Sequence, residues 1–209
     1  MTQHTLEYFA SAGRGEGIRV ALHAAGVEFE DKCWTFPEWK EFKAKIDDSV
    51  YKGGLPVLTV DGKKFAQSSA ILRFAGRKGK MYSEDPVVAM RIDEVIDTYQ
   101  DIMGNAPKGL EQDALKAARE EYAAGGLQNF MQRLSDCASE SASEWIAGTA
   151  DMSIADLAVW QLTSMLRSGD FSHIPSDYTD KWPLLVKIEK AVPEHAAFKA
   201  WQAVKAARK

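Results

Sequence analysis

The chain has 209 residues, 45% of them hydrophobic and 27% charged, enough to bury one large core or two modest ones without covalent staples. A formal charge of -4 with acids and bases interspersed leaves no basic footprint for nucleic acid or an anionic membrane surface. Cys33 and Cys137 form neither a Cys-x-x-Cys pair nor a metal-ligand spacing, which argues against a disulfide framework and a dithiol centre. Residues 1–25 mix His, Glu, Arg and Gly among the apolar ones, and nowhere do about eighteen apolar residues run together. A soluble, cytoplasmic protein with no membrane partner is expected.

Thr5–Phe9 reads as a strand, Arg14–Ala25 as a helix stopped by Gly26, and Val27–Trp34 as a second strand. Together they predict a parallel strand-helix-strand unit. Gly13-Arg-Gly15-Glu-Gly17 lies between strand and helix and suggests a dinucleotide loop, but the third glycine of that fingerprint falls on Ile18, so the pattern fails. Trp39–Ile46 is a short polar helix. Gly53–Phe74 then holds the organising stretch: Pro56 at the head of a strand through Val57, Leu58 and Val60, an Asp61-Gly62 hairpin turn, a return over Lys63–Ala66, and a helix opened by Gln67-Ser68 with Ser68 as its cap. This order predicts a small mixed sheet with helices on both faces over residues 1–80.

Strand signals stop after Gly79. Asp85-Pro86 predicts an N-cap and first helical position for a helix through Ile92, Val95, Ile96, Tyr99 and Met103, ended near Gly104–Pro107. Residues 110–138 are helical with a break at Gly125-Gly126, because two glycines in one helix cost about 2 kcal/mol. Ser153-Ile-Ala-Asp156 is a capping box before the most apolar helix, which stops at Gly169. Pro183–Val192 and Glu194–Ala207 are the last two helices, with Lys205, Arg208 and Lys209 placed to complement the final dipole. An all-helical domain over 85–209 is expected.

Several residues in the first part carry more chemistry than packing requires. Leu55, just before regular pairing starts, offers a backbone N–H and C=O to an extended, peptide-like ligand. The N-terminus of the helix at Gln67-Ser68 favours a carboxylate, and the two side chains add donors. Tyr8 ends the first strand, where its hydroxyl can donate to a thiolate. One hydrogen bond to a charged group, about 1.5–3 kcal/mol, is enough to lower a thiol pKa by about two units. Arg14 opens the first helix, where a cation opposes the dipole and gains nothing structurally. Trp39 and Lys43 stand i, i+4 on one face and can hold one ligand end.

Thr-Leu-Glu-Tyr8-Phe, Gly-Arg14-Gly-Glu-x-Ile-Arg19, Trp39 with Lys43, Leu55-Pro56-Val-Leu and Gln67-Ser68-x-Ala-Ile, in this order and spacing, resemble a cytosolic glutathione transferase of the sigma class, the branch of prostaglandin D synthases and S-crystallins. The resemblance covers nearly the whole chain. It implies a thioredoxin-like α/β N-terminal domain with a mixed four-stranded sheet, an all-α C-terminal domain, glutathione as cosubstrate without a metal, and small hydrophobic electrophiles as second substrates. By this resemblance Tyr8 stabilises the glutathione thiolate with support from Arg14, and Trp39 with Lys43 holds the glycyl carboxylate. Leu55, before a cis Pro56, pairs with the cysteinyl moiety, and Gln67 with Ser68 receives the γ-glutamyl carboxylate. Asp101, the end of an Asp93, Asp97, Asp101 stripe, reaches across a homodimer, and Tyr51 packs between subunits. Phe9, Gly13, Met103, Ala158 and Leu162 line the acceptor pocket. Gln100, Ala158 and Lys108 depart from the prostaglandin-isomerising pattern, so that activity is not expected. Ser11 is the rival thiolate partner, and Cys33 is too far along its strand to act. The alternative function is a catalytically weak binding or crystallin-like structural protein.

Overall fold

Six residues, His4–Phe9, form β1, and the other strands take their places from it. In the computed structural model, which describes residues 2–207, β1 pairs in parallel with β2 (Glu30–Trp34) and antiparallel with β3 (Val57–Val60). β4 (Lys63–Phe65) closes the hairpin, giving the sheet order β2-β1-β3-β4. The hairpin turn is the one its sequence demands: Asp61 and Gly62 both take positive φ, 47° and 78°. β2 begins three residues later than expected because Glu30 is the first residue with a partner on β1, opposite Thr5.

Strand alternation sends His4, Leu6 and Tyr8 to one face of the sheet and Thr5, Glu7 and Phe9 to the other. The first face is covered by α1 (Gly13–Ala24) and α4 (Ser68–Lys78), with Leu6, Val20, Ala21 and Ala75 wholly buried. The second is covered by α2 (Phe36–Lys45), whose Trp39 packs with Tyr51 and Val57. α2 starts three residues before Trp39 because Thr35 and Glu38 form a capping box. A one-turn helix, α3 (Ser49–Lys52), follows; Asp48 caps it by accepting the Val50 N–H at 3.0 Å.

The second unit, Ser83–His195, is helical. Asp85 accepts the N–H groups of Val87 and Val88 at 2.8 and 3.0 Å and opens α5 (Pro86–Asn105). The Gly125-Gly126 break separates α6 (Gln112–Ala124) from α7 (Gly126–Glu140). At α8 (Ile154–Ser168) the capping box is complete: Asp156 accepts the Ser153 N–H and the Ile146 N–H at 2.8 and 2.7 Å, tying the preceding loop to the buried helix start. α9 (Pro183–Glu194) completes the unit. No helix among the described residues is long and apolar enough to cross a membrane.

The last helix, α10 (Ala196–Ala207), was grouped with the helical domain from sequence, but its contacts lie elsewhere. It clusters with the residues up to Tyr82 and not with the helical unit. Trp201, Gln202 and Lys205 all donate to Glu16 Oε1 on α1, at 3.2, 2.9 and 2.9 Å. Lys205 therefore serves a buried carboxylate and not the helix dipole; Arg208 and Lys209 lie outside the described residues.

Candidate functional site

Tyr8 is the last core-facing residue of β1 and is 8% exposed. Its hydroxyl oxygen accepts the Arg14 N–H at 2.9 Å, so the start of α1 holds the phenol by its tip. Two glycines make room for the ring. A β-carbon on Gly13 would stand 2.5 Å from Tyr8 Oη, and one on Gly15 would stand 2.4 Å from Tyr8 Cδ1. Gly13 also has φ of +32°, a conformation that L side chains rarely adopt. The Gly13-x-Gly15 spacing that fails as a phosphate loop is thus the seat of an aromatic ring.

Burial pushes the Tyr8 pKa up; the hydrogen bond from Arg14 N–H and the charges of Arg14 and Arg19 pull it down without cancelling the rise. The phenol is therefore protonated at neutral pH and available as a donor. Among the described residues none accepts its proton.

Arg19 and Glu16 stand in the motif, but sequence reasoning gave them no role of their own. Both are 1% exposed. Arg19 donates to both carboxylate oxygens of Asp31 at 2.9 and 3.0 Å and to the carbonyls of Phe9 and Ser11 at 2.9 and 3.2 Å, while its guanidinium lies 5.7 Å from the Tyr8 ring centroid. It fixes the turn between β1 and α1 on which Tyr8 and Arg14 depend. Glu16 pairs with Arg19 at 3.3 Å. Burial alone would raise the Glu16 pKa, but the hydrogen bonds from Lys205 and Gln202 with the charges of Lys205 and Arg19 bring it below the ordinary value. The available signal was two opposite charges three apart within the otherwise small and apolar run Gly15–Leu22.

On the other face of the sheet, Trp39 is buried among aromatic neighbours, with ring centroids 6.5 Å from Phe9, 5.8 Å from Trp34 and 5.7 Å from Phe42. Leu55 packs against this cluster, and the Leu55-Pro56 bond is cis. Lys43, one turn along α2 from Trp39, is exposed. Pairing on β3 starts at Val57, which leaves Leu55 ahead of the ladder. Ser68 is the first residue of α4 and not its cap. The cap is Gln67, with φ 74° and ψ 105°, which no side-chain bond compensates. Such a strained non-glycine residue costs about 1–3 kcal/mol and is typical of ligand-gripping positions.

Tyr51 does not reach a subunit surface. It is 4% exposed and donates to Glu7 Oε1 at 2.5 Å, and the same carboxylate accepts Trp34 Nε1 at 3.1 Å. Cys33 lies nearer Tyr8 than its place in the chain suggested, directly opposite it in the β1–β2 register. Burial and the neighbouring Asp31 push its thiol pKa up, which keeps it protonated. Ser11 sits on the exposed turn held by Arg19.

The pocket residues are divided between the units. Phe9 is partly exposed and Gly13 touches Tyr8 in the first; Met103 is partly exposed on α5 in the second. Ala158 and Leu162 have no accessible surface on α8, so they are core residues of the helical unit and not surfaces a substrate can touch. Asp101 is exposed on α5.

The family model for the glutathione S-transferase N-terminal domain matches residues 4–77, and that for the C-terminal domain matches residues 96–205. The chain is 33% identical to glutathione S-transferase 1 of Ascaris suum over 172 residues, covering 77% of this chain and 82% of the relative. It is 28% identical to glutathione S-transferase 3 of Caenorhabditis elegans, with 97% of each chain covered. Among solved structures it is similar to prostaglandin synthase D of Nilaparvata lugens, with a TM-score of 0.81, 25% identity, and 96% of this chain and 97% of that one covered.

Proposed function

Since the chain belongs to the glutathione S-transferase family, we propose that it stabilises the glutathione thiolate and joins it to small hydrophobic electrophiles, as a sigma-class member. The observation that carries this reading is Tyr8: a buried phenol, its oxygen already accepting the Arg14 N–H at 2.9 Å, its proton accepted by no described residue. Glutathione supplies the nucleophilic sulfur. Tyr8 donates its O–H to that sulfur and favours the anion; Arg14, at the same turn, adds positive charge beside it.

Five positions of the first unit suit the parts of a tripeptide. Leu55 offers its backbone ahead of the β3 ladder, as an added strand requires. Gln67 and Ser68 receive the γ-glutamyl carboxylate at the start of α4, where free N–H groups and the dipole favour an anion. Lys43 holds the glycyl carboxylate beside Trp39, whose ring is fixed by the aromatic cluster. Phe9 and Gly13 contact the acceptor from the first unit.

The homodimer belongs to the same proposal. α4 presents Arg73, Arg77 and Lys78 with Phe74 around one concavity, and α5 carries Asp93, Asp97 and Asp101. Opposite charge on two helices of one chain suits a two-fold contact in which Asp101 of the partner subunit meets the γ-glutamyl amine. A cytoplasmic location accords with two thiols that form no disulfide.

The test is Tyr8→Phe. Without the donor, the thiol's pKa in the complex returns toward the free value near 8.5, and conjugation at neutral pH falls about ten- to a hundredfold. Thiolate absorbance titrated in the binary complex reads the same shift directly. A superimposable pH profile in wild type and Tyr8→Phe removes Tyr8 from this role.

A further inference from the structure

Glu7 stands beside Tyr8 on β1 but faces the opposite side of the sheet, where it is 4% exposed. A carboxylate taken out of water is costly unless donors surround it, and three converge on this one. Tyr51 Oη donates to Glu7 Oε1 at 2.5 Å, while Trp34 Nε1 and Lys32 Nζ donate to Oε2 at 3.1 and 3.0 Å. Burial and then the Glu7 carboxylate push the Tyr51 pKa up, so the phenol keeps its proton and remains the donor. Stabilising a thiolate does not require this carboxylate, and an apolar side chain would fill the same space without burying charge.

Two of its donors adjoin positions assigned above to the tripeptide. Tyr51 belongs to α3, and its carbonyl accepts the Gly54 N–H at 2.9 Å. Gly53, Gly54, Leu55 and Pro56 alone separate α3 from β3, and Gly54 has φ of +94°. Two glycines would leave such a stretch many conformations if its ends were loose. Neither end is. Tyr51 ties the near end to Glu7, and Val57 at the far end pairs with Glu7 in the β1–β3 register. Leu55 is thus held between two points that both meet β1 next to Tyr8. Trp34 and Tyr51 also pack on the Trp39 ring, with centroids 5.8 and 6.1 Å from it, and Leu55 packs against the same cluster.

We infer that Glu7 is a positioning residue: through Tyr51 and Trp34 it holds Leu55 and Trp39 in the arrangement that receives the tripeptide, and so sets the affinity for glutathione without touching it. The inference rests on the glutathione-transferase reading given above. Its physical basis is preorganisation, because a segment already fixed in its bound form loses less freedom when the ligand arrives. The phenol is independent of this carboxylate. Tyr8 lies on the other face of the sheet, seated by Gly13 and Gly15 and held by the Arg14 N–H.

Tyr51→Phe deletes one oxygen and keeps the ring in its cluster. Calorimetric titration with glutathione should show Kd rising about three- to tenfold, with KM for glutathione rising in parallel. The value of kcat at saturating glutathione and the thiolate pKa of the binary complex stay as in wild type. Glu7→Gln should raise Kd by a similar factor, and the double variant should bind little more weakly than Glu7→Gln alone, because both changes act through one bond. A merely structural role would reduce the folded fraction, which lowers kcat and leaves KM where it was. An unchanged Kd in Tyr51→Phe, or a fall in kcat with KM for glutathione constant, overturns the inference and leaves the role of Tyr8 standing. Tyr51→Phe decides alone if Glu7→Gln does not fold, since it leaves the carboxylate with Trp34 and Lys32. A wild-type protein that binds no glutathione overturns the underlying reading as well.

Discussion

Gly15→Ala adds one methyl group and tests the seat of Tyr8 directly. The new carbon would lie 2.4 Å from Tyr8 Cδ1 and 2.7 Å from Cγ, where carbon atoms settle at about 3.5–4.0 Å. The ring must retreat by about 1 Å, and Cγ stands too close to the backbone for rotation about the side chain alone to achieve this. The retreat acts against the Arg14 N–H bond at 2.9 Å. Stability changes little: alanine gains about 1 kcal/mol over glycine in a helix interior, and overpacking costs about 1–3 kcal/mol. Catalysis is more sensitive, since a 1 Å misplacement lowers turnover on the order of 100-fold. Urea unfolding measured beside kcat/KM for conjugation should therefore show a stability change within about 2 kcal/mol and an activity loss far larger than stability explains. Activity within about threefold of wild type would refute the claim that these glycines exist to place the phenol.

Three further outcomes are expected. Glu16→Ala leaves Arg19, Trp201, Gln202 and Lys205 without their shared acceptor and should cost about 3 kcal/mol in urea unfolding. Because the folded Glu16 pKa lies below its ordinary 4.5, its contribution is complete above that pH and is lost as pH falls through the folded value. Glu16→Gln should accordingly flatten the acid limb of the stability profile, and an unchanged limb contradicts the network. In thiol titration the native protein should expose one reactive cysteine, Cys33, with Cys137 at 3% exposure reacting only on unfolding. With both pKa values raised, chiefly by burial, Cys33 should react slowly at neutral pH and faster as pH rises past 9.0; two fast native thiols would contradict this.

Much of the sheet and most helix starts were legible because the deciding interactions are local. Asp85 with Pro86, Ser153 with Asp156, and Asp61 with Gly62 each define a cap or turn within a few residues, and the structure realises all three. The strand start after Pro56 was legible for the same reason, since proline dictates where pairing can begin. What escaped depends on distant partners. Glu16 and Lys205 are 189 positions apart in sequence, and neither hints at the other, so the packing of α10 against α1 was not foreseen. Tyr51 meets Glu7 across 44 positions, and a tyrosine in a polar stretch gives no sign of being interior. Ala158 and Leu162 look alike as pocket wall or core, because both settings want small or apolar side chains. Gln67 was read as a donor beside a cap, although its backbone, with φ at 74°, is itself the cap.

The shared carboxylate of Glu16 bears on how the protein is made. The first unit is discontinuous: its sheet lies within the first 82 residues, but α10 comes from the end of the chain. During synthesis the nascent amino-terminal segment leaves the ribosome with Glu16 and Arg19 in place and three of their companions untranslated. Until the Ala196–Ala207 helix has been made, that segment holds a charged hub whose carboxylate lacks these three donors, and the growing polypeptide needs that helix to close it.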